Sequence, residues 1–458
     1  MVLRAMYSGV SGLRAEGDAL GVVGDNIANV NTVGFKGQRA IFQDVLGHSI
    51  LAGTASNLPG SGVRIGDVQQ MFTQGTITNT GIATDVALSG DGFFAVKGSV
   101  EGVTGNFYTR AGQFNLDKDG YLVNPSGLQV QGYGANKDGT FAASTTSVKA
   151  PTSALAPNAT TKISVVANVD SGAKVPTPAF PLTTGTNYDP SVAGNTNPSL
   201  AANFSDTVTV YDSLGQSHTL DVYFRKEADA TWSWHAVAQG DEVLDSAGAA
   251  GAAGTVTEVA TGTLAFNTDG TLKTLGGAAP LDPVTGNPTF AVNFVGATAG
   301  QAVNLNLGQS TDAGGTGANG ITQYASPSNV SSHSQDGYAS GDFSGISIDG
   351  QGVVMGLYTN GQKLALSQLA IAKFRSNDGL GRAGQGLWID TRESGPAAFG
   401  VAGSGGRGAA SSGAVEASNV DLAEEFVGLI QHQRSFSANS KTITTADEML
   451  QELIGLKR

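Results

Sequence analysis

The sequence predicts a mainly β protein with terminal α-helices. It reads as a discontinuous multidomain chain whose N- and C-terminal helices pair as a coiled coil, followed outward by two β-rich domains. Three observations predict this. Apolar residues recur at steps of three and four near both ends, the spacing of a narrow helical seam. Between them lie alternating strand patterns broken by Asp-Gly turns. The chain has 458 residues, 65 of them glycine, and only 40% are apolar. That is too long for one ordinary core and too loop-rich for a helical bundle.

The first seam is Leu3, Met6, Val10, Leu13, Leu20 and Ile27, with Gly17 and Gly24 at the missing positions. It runs into GDNIANVNTVGFKG, residues 24–37, where Asn26, Asn29 and Asn31 stand among small apolar residues. Such a mixture ends a helix and turns the chain. Asn29 or Asn31 suits a left-handed cap, and Thr32, Gly34, Phe35 and Lys36 then anchor the joint to the β-domains.

Asp119-Gly120, Asp269-Gly270 and Asp349-Gly350 lie between strand patterns and predict three hairpins. DTVTVYD and HTLDVYF alternate as half-buried strands around Ser213-Leu214-Gly215. Trp232 and Trp234 share one strand face and read as core. Residues 171–203, rich in Pro, Thr, Asn and Gly, read as a long surface loop, and DSAGAAGAAGT from Asp245 as another.

GSGGRGAASSG, residues 403–413, separates the β body from the last helix. Ser418 and Asp421 have capping-box spacing, with Asn419 as an alternative cap. The second seam follows: Leu422, Phe426, Leu429, Phe436, Ile443, Leu450 and Ile454, interrupted by Gln433, Ser440 and Asp447.

Catalytic chemistry has no sequence signature here. There is no cysteine, no GK dipeptide, no H-E-x-x-H and no G-x-S-x-G. Gly403–Gly408 formally spells G-x-G-x-x-G, yet no helix follows at once, so it reads as a connector. DKDG lacks the other ligands of a calcium loop and reads as a turn. No catalytic residue, cofactor or metal is expected. The net charge is −13, and residues 151–330 carry fourteen acidic against five basic side chains. That balance argues against nucleic acid and against an anionic membrane. The N-terminus has no continuous apolar stretch of signal-peptide type, and no run is long enough for membrane insertion. Export, if it occurs, is therefore expected to bypass the ordinary secretory route.

Two stretches carry a family resemblance. SGVSGL followed by NIANVNTVGFKG resembles the N-terminal signature of bacterial flagellar rod and hook proteins, and residues 418–458 resemble their C-terminal signature. GDGFFAV and YTRAGQFNLDKDGYLVNPSGLQVQGY are similar to the inner β-domain of that family. VYDSLGQSHTLDVYF, GTLAFNTDGTL and GQGLWIDTRESG are similar to its hook members. The sequence departs from the family at Met6 and at Phe436, where an aromatic residue and a Tyr are usual.

The resemblance implies a division into residues 1–30 with 419–458 as the inner helical domain, and 31–75 with 400–418 as a connecting segment. Residues 76–150 with 331–399 would form the inner β domain, and 151–330 the outer inserted domain. It implies a structural, non-enzymatic subunit of the flagellar hook, exported without a cleaved signal peptide and polymerising into a flexible hollow tube. That tube would act as a universal joint passing torque from basal body to filament. Ends ordered only on assembly are part of this picture. Implied partners are copies of itself, the distal rod protein, the hook cap protein, the hook–filament junction protein, the hook-length control protein and the type III export apparatus. Met6 and Val10 would form the export-gate motif. Phe35 is either buried at a subunit contact or an exposed residue of a plain turn. The rival readings are a distal-rod-like axial protein with an enlarged insert and, in another class, a secreted β-rich adhesin.

Overall fold

A computed structural model describes residues 2–45, 61–136, 138–277, 280–282 and 285–455. The chain is mainly β with a long helix at each end. It divides into two compact units, one of residues 1–152, 344–357 and 363–458, the other of residues 153–343 and 358–362.

In the first unit α1 (Val2–Ala28) is followed by an antiparallel ribbon, β1 (Gln38–Asp44) against β2 (Val63–Gln70). The ribbon lies along the helices. The Val63 N–H donates to Ser11 Oγ at 3.2 Å, and the Phe42 ring stacks on His432 with centroids 6.0 Å apart. A mostly antiparallel sheet follows, centred on strands 93–100, 103–109 and 129–135. Phe93, Tyr108, Phe374 and Trp388 interlock edge to face in its core, the geometry aromatic quadrupoles prefer.

The second unit packs two sheets around one apolar core. One is a meander of strands 204–211, 217–228, 231–239 and 256–266, and the other joins strands 162–168, 289–292, 301–306 and 329–335. Trp232 and Trp234 are fully buried between them. The surface loop expected at 171–203 contains the single-turn α2 (Pro198–Ala201). This loop is pinned by Arg225, whose guanidinium donates to the carbonyls of Pro176, Pro178 and Ala201.

The three hairpins form, but their turns are longer than Asp-Gly alone implies. In each, a first residue (Asp117, Asn267, Asp349) accepts from the N–H of a glycine three residues later. That glycine, Gly120, Gly270 or Gly352, has φ between +75° and +83°. Gly350 of the third Asp-Gly pair is not among the residues with positive φ. The same turn recurs at Asn124–Gly127, Asp212–Gly215 and Asp245–Gly248. At Asp117, Asn124, Asp212, Asp245 and Asp349 the side-chain Oδ1 accepts from the N–H groups two and four residues on. The operative signal is Asp/Asn-x-x-Gly: the first side chain templates the turn and the last residue tolerates the left-handed backbone. Gly352→Ala is therefore expected to destabilise the first unit by about 1–2 kcal/mol, whereas Gly350→Ala stays near neutral, as read by chemical denaturation.

Candidate functional site: the helix seam and the joint behind it

The C-terminal helix, α3 (Leu422–Gly455), runs antiparallel to α1. Asp421 caps it, Oδ1 accepting from the N–H groups of Ala423 and Glu424, and Glu424 and Glu425 sit in its first turn, where the helix dipole favours negative charge. Ser418 Oγ accepts only from the Val420 N–H.

The face of α3 turned to α1 is Glu425, Leu429, His432, Phe436, Asn439, Ile443, Ala446 and Leu450, none of them exposed. Their steps alternate strictly between four and three, a complete heptad seam. The facing stripe of α1 is made mostly of small residues: Gly9, Gly12, Glu16, Ala19, Val23 and Asn26. A Cβ on Gly12 would lie 2.7 Å from Asn439 Nδ2, and one on Gly9 3.0 Å from Ile443 Cγ1. Glycine at both places lets the helices come close. Polar pairs fix the register. His432 Nδ1 donates to Glu16 Oε2 at 2.6 Å, and Asn26 Nδ2 donates to Glu425 Oε1 at 2.8 Å.

This corrects the seams expected from sequence. On α1 the inner stripe stands one residue before Val10, Leu13, Leu20 and Ile27, which together with Met6 are only half-buried. On α3, Leu429, Phe436, Ile443 and Leu450 face inward, but Leu422 and Phe426 are exposed. Gln433 and Asp447 are exposed too, so the polar members of the inner seam are Glu425, His432 and Asn439 rather than those two. The side chains of Leu3 and Ile454 lie outside the described residues. Apolar spacing points to the larger side chains, whereas close helix approach selects glycine and alanine.

Behind the seam the GFKG turn locks onto the strand that leads into α3. Gly34 has φ +69°, and a Cβ there would lie 2.5 Å from the Ala111 nitrogen. Its N–H donates to the Glu416 carbonyl at 2.7 Å. Lys36 Nζ reaches Glu416 Oε1 at 2.6 Å and the Thr73 carbonyl at 2.7 Å. Arg110 Nη1 lies 3.3 Å from Glu416 Oε2, with its guanidinium 5.3 Å over the Phe93 ring. All three charged side chains are buried. Burial pulls the Lys36 ammonium below the ordinary lysine range, with Glu416 opposing, and burial lowers Arg110 in the same way.

Asparagines complete the joint. Asn26, 1% exposed, accepts from the Gln38 N–H and donates to the Gln38 carbonyl. Asn419 is no helix cap: its Oδ1 accepts from the Gly37 N–H at 2.7 Å and its Nδ2 donates to the Met71 carbonyl at 2.7 Å. Nor do Asn29 and Asn31 take the left-handed conformation; Gly34 does. Asn29 bonds back to Asp25 and accepts from Thr32 Oγ1, while Asn31 is exposed. Phe35 is buried within the single chain, so neither expected placement applies. Sequence reading missed Glu416, Arg110, Gly9, Gly12, Glu16, His432 and Asn439. The available signal was the Gly9-to-Asn26 stripe in heptad phase.

Two outcomes test this geometry. Glu416→Ala leaves two buried cations without their anion and is expected to cost about 3–5 kcal/mol in denaturation of the first unit. Burial, with Glu424 adding and Asn26 and His432 opposing, holds the Glu425 carboxyl above its ordinary range. The stability it contributes is thus present below that ordinary range and lost as pH rises through the raised value. Glu425→Gln keeps an acceptor for Asn26 without the charge. Its melting temperature should gain on that of the unchanged chain as pH is raised from 4 to 7.

Among the described residues no group of three His, Cys, Asp or Glu could hold a metal, and no helix is long and apolar enough to cross a membrane. Residues 6–36 match the flagella basal body rod protein family, 87–169 the flagellar hook protein FlgE/F/G D1 domain, 168–338 the flagellar basal body protein FlaE D2 domain, and 411–456 the C-terminal family of rod FlgEFG proteins. The flagellar hook protein FlgE of Salmonella typhimurium is 36% identical, covering 98% of each chain. That of Escherichia coli is 36% identical over 99% of this chain and 100% of its own, and that of Borreliella burgdorferi 34% over both whole lengths. Among solved structures, the Helicobacter pylori flagellar hook protein FlgE2 aligns with 73% of this chain and 98% of its own, at a TM-score of 0.48 and 15% identity. With every segment of the joint and seam inside these full-length matches, the chain belongs to the flagellar hook protein family of structural proteins.

Proposed function

We propose that copies of this chain stack through their paired terminal helices into a hollow, flexible tube, the hook, which passes torque from the basal body to the filament. The observation that carries the reading is the helix pair itself. It joins the two ends of the chain, yet leaves Leu422, Phe426, Val427 and Ile430 between 40% and 55% exposed. An apolar strip of that kind on a helix marks a surface for another molecule. A heterologous contact that does not close gives an open tube.

In this reading residues 1–30 with 419–458 form the inner sleeve, joined through 31–75 and 400–418 to the inner β domain expected at 76–150 with 331–399, whose second edge moves to 344 because strand 329–335 pairs in the second unit's sheet. The acidic 151–330 segment lies outermost, where weak polar contacts slide without locking. The tube would meet the rod at its base, and the cap and junction proteins at its far end, after export by the flagellar type III apparatus. Met6 and Val10, both half-buried on α1, would serve export before α1 pairs. Leu450 faces α1, so Leu450→Asp breaks the pair without touching either β core. The variant should keep its β circular dichroism and form no tubes under electron microscopy. Tubes of normal length from it would refute the reading.

A further inference from the structure

In the meander of the second unit Trp232 and Trp234 point into the core, so Ser233 and His235 lie on the opposite face of the sheet. Part of the 171–203 loop crosses that face. Residues 176–188 run over strands 217–228, 231–239 and 256–266 as a strap. Arg225 holds its start at the Pro176 and Pro178 carbonyls, and its end pairs Asn187 and Tyr188 with Thr257 and Val256. Between these anchors the Phe180 ring stacks on the His235 imidazole with centroids 3.8 Å apart. Thr184 Oγ1 donates to Glu258 Oε2 at 2.7 Å.

Counting donors fixes the charge of this ring. Glu258 Oε1 lies 2.6 Å from His235 Nδ1, and an ionised carboxylate only accepts, so Nδ1 carries a proton. Nε2 lies 3.0 Å from Ser233 Oγ. Ser233 has one hydrogen to give, and it goes to Glu227 Oε1 at 2.7 Å. Nε2 must then donate as well. Thr261 Oγ1, 3.0 Å from Nδ1, gives its hydrogen to the Trp234 carbonyl and supplies none to the ring. All these contacts are met at once only by the imidazolium. Removing its proton costs one bond: Ser233 turns to Nε2 and leaves Glu227, or keeps Glu227 and leaves Nε2 without a partner. It also takes the cation from beneath the Phe180 ring. Glu227 in turn accepts from Arg225 Nε at 3.0 Å, so a line of contacts runs from His235 through Ser233, Glu227 and Arg225 back to the strap. The titratable and charged groups around the ring are Glu258 from strand 256–266, and Tyr223, Arg225 and Glu227 from strand 217–228, with Asp221 beside Tyr223. Burial, with Asp221 adding, holds the Tyr223 phenol above its ordinary range, so it stays neutral. The strap brings Phe180 and Thr184, and neither titrates. Among these side-chain types imidazole is the one that changes charge near neutral pH. We infer that His235 is a proton-operated catch: its charged ring holds residues 176–188 on the sheet, and loss of the proton lets them lift. The catch lies within the second unit alone and does not depend on tube formation.

Hydrogen exchange of the full-length monomer, followed by mass spectrometry, tests the catch. The Gly185 N–H donates to the Glu258 carbonyl at 2.8 Å, so peptides containing Gly185 report opening of the strap. With the intrinsic exchange rate at each pH divided out, opening should rise about fivefold between about pH 5.5 and about pH 8.5, the effect of one lost hydrogen bond. Peptides from strand 204–211 should stay level. In His235→Gln, which has no such proton to lose, the strap should open to a similar extent at both pH values. His333→Gln, on the other sheet, should keep the rise. A rise that survives in His235→Gln, or an unchanged chain that shows none, overturns the catch. Should His235→Gln fail to fold, the His235 ring of the unchanged chain, assigned by its contact with Phe180, is titrated by NMR. Strap opening must then share the midpoint of that ring, and a different midpoint overturns the catch equally.

Discussion

One buried carboxylate holds the beginning of this chain to its end. Glu416 receives Lys36 and Arg110 on its two oxygens and the Gly75 N–H on Oε1, while its carbonyl takes the Gly34 N–H. Lys36 and Glu416 are 380 residues apart, so closing that loop costs on the order of 5 kcal/mol in chain entropy. A lone ion pair would not offset this, because desolvation consumes most of its attraction. Asn26 and Asn419 add neutral hydrogen bonds on either side, and the Phe93 ring packs against the Arg110 guanidinium. Fixed in this way, α1 and α3 leave the joint side by side, and their pairing needs little further ordering at that end.

The seam that follows is specified by what its stripe on α1 lacks. Gly9 and Gly12 offer no side chain, and Asn439 and Ile443 fill the space. His432 with Glu16 and Glu425 with Asn26 then fix the register, in the way that single polar residues in a coiled coil choose alignment at some cost in stability. The larger apolar side chains of α1, Met6, Val10, Leu13, Leu20 and Ile27, stand outside that stripe, while those of α3 fill it. A helix that spent its leucines on its own partner would have little to offer a neighbour.

Much of this was legible in the sequence. The two helices, the strands around Ser213 to Gly215, and the burial of Trp232 and Trp234 follow from periodicity and composition. The motif ending in Phe35 and Lys36 was visibly a joint. Its lock was not, because Glu416 is one acidic residue in a small-residue stretch and its partners lie hundreds of residues away. The α1 half of the seam was misplaced by one residue for a related reason: periodicity identifies two heptads on α1 and does not say which is turned inward. The third hairpin failed in detail, since Asp349-Gly350 looks like a two-residue turn until the side chain of Asp349 is seen bonding to Gln351 and Val353.

The fit of Asn439 over Gly12 has a mechanical consequence. It works as a key in a keyway: sliding α3 by one turn toward the joint would drive the amide into Glu16, where there is no slot for it. The helix pair therefore resists axial slip, and a twist applied to one rod is taken up at once by the other. Whatever bending an assembly of these chains undergoes is therefore not taken up by sliding within this helix pair.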